Sequence, residues 1–368
     1  MKVVVLLSLL FPGAAGCNDE PAGQLPAPET TKTAVVFYDV GARPRAVAVA
    51  DLNGDRHPDV AVANVGDGTV TVLLGAARGQ LRASASIAAG QEPTDVDAAD
   101  LDRDGDADLV VANHETSGLT ILLNDGEGRF APAPGSPVDT GARPHIHGVA
   151  TADFDGDGWV DVAVESSDTR DVRVLRGGER GFLPAVSMPL GTMPYSRVGA
   201  GDATGDGRPD VLVPGHGNST VRAIAGEAGR FALAPWTIRS SAKPWMVLAA
   251  DVNGDRRGDV VVVETDAVSV WLAGGAGFVP APGSPHAIRG ATEAAVGDLD
   301  GDGAADVAVG PWDGEDVFLL MGTAAPRALR VCARPIGLAI ADLDGDGRGE
   351  LLATCTHTGK LAVVTVGG

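Results

Sequence analysis

The sequence predicts an all-β protein, a seven-bladed β-propeller of four-stranded blades closed one strand against three by its N-terminal strand. Three observations predict it. A nine-residue acidic stretch recurs seven times, starting at Asp51, Asp100, Asp153, Asp202, Asp251, Asp298 and Asp342, 44 to 53 residues apart. That period belongs to propellers and solenoids. Between the copies lie short segments of small and β-branched residues alternating with period two, as in Thr69-Val70-Thr71-Val72, and no helical period appears. The two ends are also complementary. The last repeat stops after a third strand at 361–366, whereas 34–40 stands before the first repeat as fourth strands do elsewhere. Pairing these two segments removes an exposed sheet edge.

Each unit has the same internal order. A strand led by proline comes first, such as Pro44 followed by 45–50. The acidic stretch follows, then a second strand such as Asp59-Val60-Ala61-Val62-Ala63, an alternating third and a looser fourth. Four residues before each acidic stretch stand Val47, Val96, Val149, Val198, Val247, Ala294 and Leu338, all apolar and expected between blades. Immediately before it stand Ala50, Ala99, Ala152, Gly201, Ala250, Gly297 and Ala341. Strands converging on one axis leave room only for such small residues. Aromatic residues make up only 4% of the chain, so the blades must rely on aliphatic packing and the loops on something else.

The loop chemistry names that something. Position 1 of the stretch is Asp51, Asp100, Asp153, Asp202, Asp251, Asp298 or Asp342, and position 3 is Asn53, Asp102, Asp155, Thr204, Asn253, Asp300 or Asp344. Position 5 is Asp55, Asp104, Asp157, Asp206, Asp255, Asp302 or Asp346, and position 9 is Asp59, Asp108, Asp161, Asp210, Asp259, Asp306 or Glu350. Hard cations take six to eight oxygen ligands, and alternate acidic side chains around a tight turn supply them. A helix–loop–helix calcium site would close with Glu at position 12 and have helical flanks. Here the flanks are short and β-branched, so a calcium loop joining two strands is expected, with up to seven structural Ca²⁺ ions. Acidic turns without an ion would leave three or four carboxylates crowded with no counter-charge.

These stretches, together with segments such as Leu122-Leu123-Asn124-Asp125-Gly126-Glu127-Gly128-Arg129-Phe130, resemble the FG-GAP/VCBS repeat of bacterial surface proteins and of the integrin α-chain head. The resemblance spans about 34–368. It implies a propeller blade per repeat and calcium in each acidic loop, and it leaves the ligand open. Thr204 at position 3 and Glu350 at position 9 depart from the pattern and mark the two loops expected to bind most weakly.

Residues 1–16 read as an export signal, with Lys2 before a short apolar run at 3–11. Ala14-Ala15-Gly16-Cys17 resembles a bacterial lipoprotein signal with Cys17 as the acylated residue. The alternative is ordinary secretory cleavage that leaves Cys17 free. Residues 17–32, rich in Pro, Ala and Glu, read as a tether, and 33–368 as the propeller. The expected location is the cell envelope, lipid-anchored and facing the periplasm or the exterior. The net charge is −21, from 49 acidic and 28 basic residues. Seven calcium ions would offset two thirds of it, so no basic partner is needed. A nucleic-acid partner would demand basic patches and is not expected.

Cys332 and Cys355 flank the same end of the seventh unit's first two strands, so they can form a disulfide, the alternative being two buried thiols. The face opposite the acidic loops carries the segments that differ between repeats. From it come the candidate ligand-binding residues Arg45, His145, His147, Tyr195, Arg197, Trp245 and Trp312, with Asp95, His114, Glu165, His216 and Glu293 nearby. The third repeat carries two extra residues after Pro144, which place His145 and His147 there. Two functions follow. One is a monomeric binding module for a protein or a glycan, touching the membrane only through its anchor. The other is a polysaccharide lyase or hydrolase acting on that same face, although no nucleophile–base motif is present.

Overall fold

The computed structural model describes residues 33–367 except 143, 167 and 276, so the export signal, Cys17 and the tether lie outside the described residues. Seven antiparallel sheets of four or five strands follow one another along the chain. The first blade is Pro44–Ala50, Asp59–Asn64, Thr69–Ala76 and Gln80–Ala88, and later blades repeat that order. Among the described residues the only helical element is a 3-10 turn at Ala77–Gly79.

The seventh blade joins Pro335–Ala341, Glu350–Cys355 and Lys360–Thr365 to the N-terminal strand Ala34–Asp39. That strand pairs antiparallel with the last one, from Ala34 opposite Thr365 to Asp39 opposite Lys360. Lys360 Nζ meets Asp39 Oδ1 at 2.6 Å across the seam. The closure expected from the two chain ends is therefore the one observed. In the same blade Cys332 and Cys355 are joined by a disulfide, with Cα atoms 5.8 Å apart.

Second strands are buried along their whole length in every blade. Both faces of each sheet are covered by neighbours, which is why these strands read as unbroken Val, Ala and Leu runs. The core is accordingly divided into seven clusters, one at each junction between successive blades. Val47, Val96, Val149, Val198, Val247, Ala294 and Leu338 are all buried in these junctions. The small residues near the axis are small by necessity. A Cβ on Gly201 would lie 2.4 Å from Ala249 Cβ, and one on Gly297 would lie 2.6 Å from Ile340 Cγ2.

Two departures from regularity position the variable face. In five blades a β-bulge interrupts the start of the first strand, as between Pro44 and Ala46 and between Pro244 and Met246. A bulge re-aims the extra side chain, here Arg45 and Trp245. In blades three and four the first strand shrinks to Val149–Ala152 and Gly199–Gly201, because extra residues before each lift the chain off the sheet. Fourth strands are the least regular. In blades two and five an Ala-Pro-Gly-Ser-Pro insert splits them, and Ser136 Oγ and Ser284 Oγ accept the Ile121 and Val270 N–H groups that lose ladder partners.

Candidate functional site

The acidic loops all join first to second strands and so share one face of the ring. Their backbone explains their glycines: positions 4 and 6 have φ between 66° and 98° in all seven copies. Glycine takes such angles without steric cost, and Arg56, Arg103 and Arg256 adopt them without that freedom. In the third loop Asp153 accepts the N–H groups of Gly156, Asp157 and Gly158 at 2.8–3.1 Å, and Asp157 accepts that of Trp159 at 2.8 Å. Position 9 works differently. Asp161 is fully buried and ties the loop to the sheet by accepting Phe154 N at 3.1 Å and Gly177 N at 2.9 Å. Asp59, Asp108, Asp259 and Asp306 make the corresponding pair of bonds. Glu350 accepts Leu343 N at 3.0 Å, so its longer side chain still reaches the loop.

These anchors are electrostatically uneasy on their own. Burial pushes Asp59, Asp210 and Asp306 up to about 6 and Asp108, Asp161 and Glu350 up to about 7, and it raises Asp259 as well. Accepted N–H bonds oppose that shift, and neighbouring loop carboxylates add to it. Carboxylate oxygens converge within 4.8 Å of one another in the sets Asp100–Asp102–Asp108, Asp153–Asp155–Asp161, Asp298–Asp300–Asp302 and Asp342–Asp344–Glu350. Each ionised carboxylate has about four acceptor sites, so bonding to N–H leaves capacity for a cation. An all-oxygen, multiply anionic set of this kind suits calcium. In the three remaining loops Asn53, Thr204 and Asn253 replace the position-3 carboxylate.

The opposite face has two parts. The first is a plug on the axis. Arg197, 8% exposed, donates from Nε and Nη2 to both oxygens of Asp95 and from Nη1 to Glu293 Oε2 at 3.2 Å. Arg45 lies 3.7 Å from Glu293 Oε1. These side chains come from blades one, two, four and six, which can meet only where the strands converge. Burial works against the guanidinium charge, but Asp95 and Glu293 outweigh it and raise the Arg197 pKa. Arg197 is thus held inside the plug and is not displayed on the face.

The second part is an arc of rings. His145 Nδ1 is 3.2 Å from His114 Nε2, and the ring centres of His114 and His147 lie 5.0 Å apart. His147 then packs on Tyr195 at 4.6 Å, Tyr195 on His216 and Trp245 at 5.3 and 5.5 Å, and His216 on Trp245 at 4.7 Å. Six rings from blades two to five form one continuous surface. Across the ring, Trp312, 49% exposed, carries Arg334 at 4.2 Å and Arg45 at 5.8 Å from its centre. The structure therefore gathers His145, His147, Tyr195 and Trp245, sets Arg45 and Trp312 in a separate patch, and buries Arg197. His114 and His216 complete the arc. Arg334 was missed in the sequence, although its place just before Pro335, like that of Arg43 before Pro44, marks a residue at the mouth of a blade.

The family of FG-GAP-like repeats matches residues 51–111, 100–164, 202–262 and 251–309, more than half of the chain. The protein belongs to that family. No curated protein matches it significantly. Among solved structures, the lectin BP39L from Burkholderia pseudomallei is 20% identical, with a TM-score of 0.64 over 90% of this chain and 98% of its own. BBS1N, in a complex with ARL6DN soaked with mercury, is 14% identical, with a TM-score of 0.61 over 89% and 96%. The lead-soaked form of that complex gives 0.58 over 89% and 93%. At these identities the likeness is one of fold. Among the described residues no helix is long and apolar enough to cross a membrane.

Proposed function

We propose that the protein is a calcium-stabilised binding module that takes a glycan on the ring arc, exported and held at the cell envelope by a lipid on Cys17. The six-ring arc from His145 to Trp245 carries the reading. Sugar rings present C–H faces that stack on aromatic planes, and hydroxyls that imidazole nitrogens and guanidinium groups hydrogen-bond. The rings pack against one another, so they meet a ligand with part of their ordering cost already met. One structural neighbour is a lectin, which supports a glycan. Another sits in a complex with a protein, which makes a protein the competing occupant. The acidic loops would hold the calcium ions on the other face, where they lock the blades and leave the arc free.

The test is a glycan-array screen of the purified protein in calcium, followed by titration of the best oligosaccharide. Wild type should bind without turnover, and Trp245→Ala should lose at least tenfold in affinity while its melting temperature stays unchanged. Release of products from polysaccharides would assign an enzyme instead, and silence across the array would overturn the glycan assignment.

A further inference from the structure

Across the ring from the arc, the patch around Trp312 carries a charge that the plug leaves over. We infer that Trp312, Arg334 and Arg45 form a subsite for an oxyanion of the bound sugar, so that this face takes an acidic glycan, one bearing uronate carboxylates or sulfate esters. The subsite rests on the glycan reading of the arc and names the class of glycan. Arc and patch divide one rim between them. Blades two to five build the arc, and Trp312, Arg334 and Arg45 stand at the mouths of blades six, seven and one.

Among the described residues the plug balances its own charge. Arg45 and Arg197 face Asp95 and Glu293, two guanidiniums against two carboxylates. Arg334 makes no ion pair among the described residues. Asp313, beside Trp312 in the chain, accepts Gly314 N at 3.1 Å. Arg334 is therefore a positive charge in excess on this part of the rim, and its guanidinium is held ready. Nε donates to Trp312 O at 3.0 Å, and the group lies 4.2 Å from the centre of the Trp312 ring. A guanidinium has five N–H donors in a fixed fork, so that bond leaves both Nη groups for an oxyanion, which the fork meets with two parallel bonds. Trp312, 49% exposed, offers a plane beside the charge on which a sugar ring can stack. Arg45, 5.8 Å from the same ring centre, brings a second guanidinium. The turn that presents Arg334 belongs to the fold, since the residue before the leading proline has φ 60° here, 52° at Arg43 and 49° at Glu92. The guanidinium on a bare tryptophan is what blade seven adds to that turn.

The test titrates the full chain, in calcium, with two matched pairs of oligosaccharides. One pair is an oligogalacturonate and its carboxyl-reduced form, and the other is a sulfated galactan oligosaccharide and its desulfated form. At least one acidic member should bind about tenfold or more tighter than its neutral counterpart, and the pair that discriminates tells carboxylate from sulfate. Arg334→Ala should abolish that preference at an unchanged melting temperature. Arg334→Lys should keep only part of it, because an ammonium lacks the fork, whereas Trp245→Ala should weaken both members of a pair alike. Equal affinities within both pairs would overturn the acidic assignment and leave the glycan reading standing. A preference that persists in Arg334→Ala would put the anion elsewhere and overturn it too. Silence toward all four oligosaccharides would also overturn it, and the glycan array then decides the reading on which it rests.

Discussion

At the residue scale, the position-9 carboxylate of each loop has two tasks that conflict. It accepts buried N–H groups, which any acceptor can do, and in the proposed calcium site it would have to be ionised, which burial resists. Asp108 shows both, with bonds to Leu101 N and Asn124 N and a pKa pushed up to about 7. Asp108→Ala leaves two N–H groups unpaired and should cost about 2–4 kcal/mol in chemical denaturation. Asp108→Asn keeps one acceptor and removes the buried charge but turns its NH2 toward the second N–H, so in chelator at pH 7 it should cost about half as much as Asp108→Ala, and clearly more in calcium. The pH dependence has the same origin. A carboxyl whose folded pKa is raised stabilises the fold fully below its unfolded pKa near 4 and loses that contribution as pH rises through 6 to 7. Stability in chelator should therefore fall from pH 4 to 7. The increment from calcium should grow over the same window, because the ion requires the ionised form. Thermal melts at several pH values, with and without calcium, check both slopes. In the plug, Arg197→Met would take from Asp95 and Glu293 the guanidinium they share, leaving Glu293 with Arg45 at 3.7 Å, and should cost about 3–5 kcal/mol. Nothing in one repeat announced that plug. Asp95, Arg197 and Glu293 lie about a hundred residues apart, and only the convergence of blades two, four and six brings them together.

At the scale of elements, the seam between Ala34–Asp39 and Lys360–Thr365 carries the ring. Removing residues 1–32 should leave the melting temperature of the propeller nearly unchanged. Removing 33–40 as well opens two sheet edges and should cost several kcal/mol, with aggregation; a monomer that melts like the longer chain would contradict the closure. The seam was readable because a missing strand at one end and a surplus strand at the other is a matter of counting. The ring arc was only half readable. The two extra residues after Pro144 point to His145 and His147. The single extra residue before Asp202 does the same for Tyr195 with less notice, since it hides within the spread of repeat lengths. Bulges that re-aim Arg45 and Trp245 leave no mark in the sequence beyond the leading proline. Split fourth strands were legible only as looseness, because their proline inserts break period two without saying where pairing resumes.

At the scale of the molecule, seven aliphatic junctions and seven acidic loops divide the labour of holding the ring. The junctions are built mainly of Val, Ala and Leu, whose burial drives blade against blade. The loops tie first strands to second strands and crosslink neighbours: Arg103 of the second loop donates to Gly158 O at 2.8 Å in the third and lies 4.1 Å from the centre of the Trp159 ring. Repetition made the fold legible, since each feature was written seven times, whereas the binding face is written once and in different residues per blade. In the proposed function cations hold the loops, offset much of the chain's acidity and leave the other face free for a ligand. Ions that bind the folded loops and not the unfolded chain raise stability with the logarithm of their free concentration. The most direct measurement is the thermal midpoint across a series of buffered calcium concentrations, with ion content verified by elemental analysis. The account predicts a midpoint that climbs steadily with free calcium and drops sharply in chelator; identical midpoints in calcium and in verified metal-free buffer would contradict it.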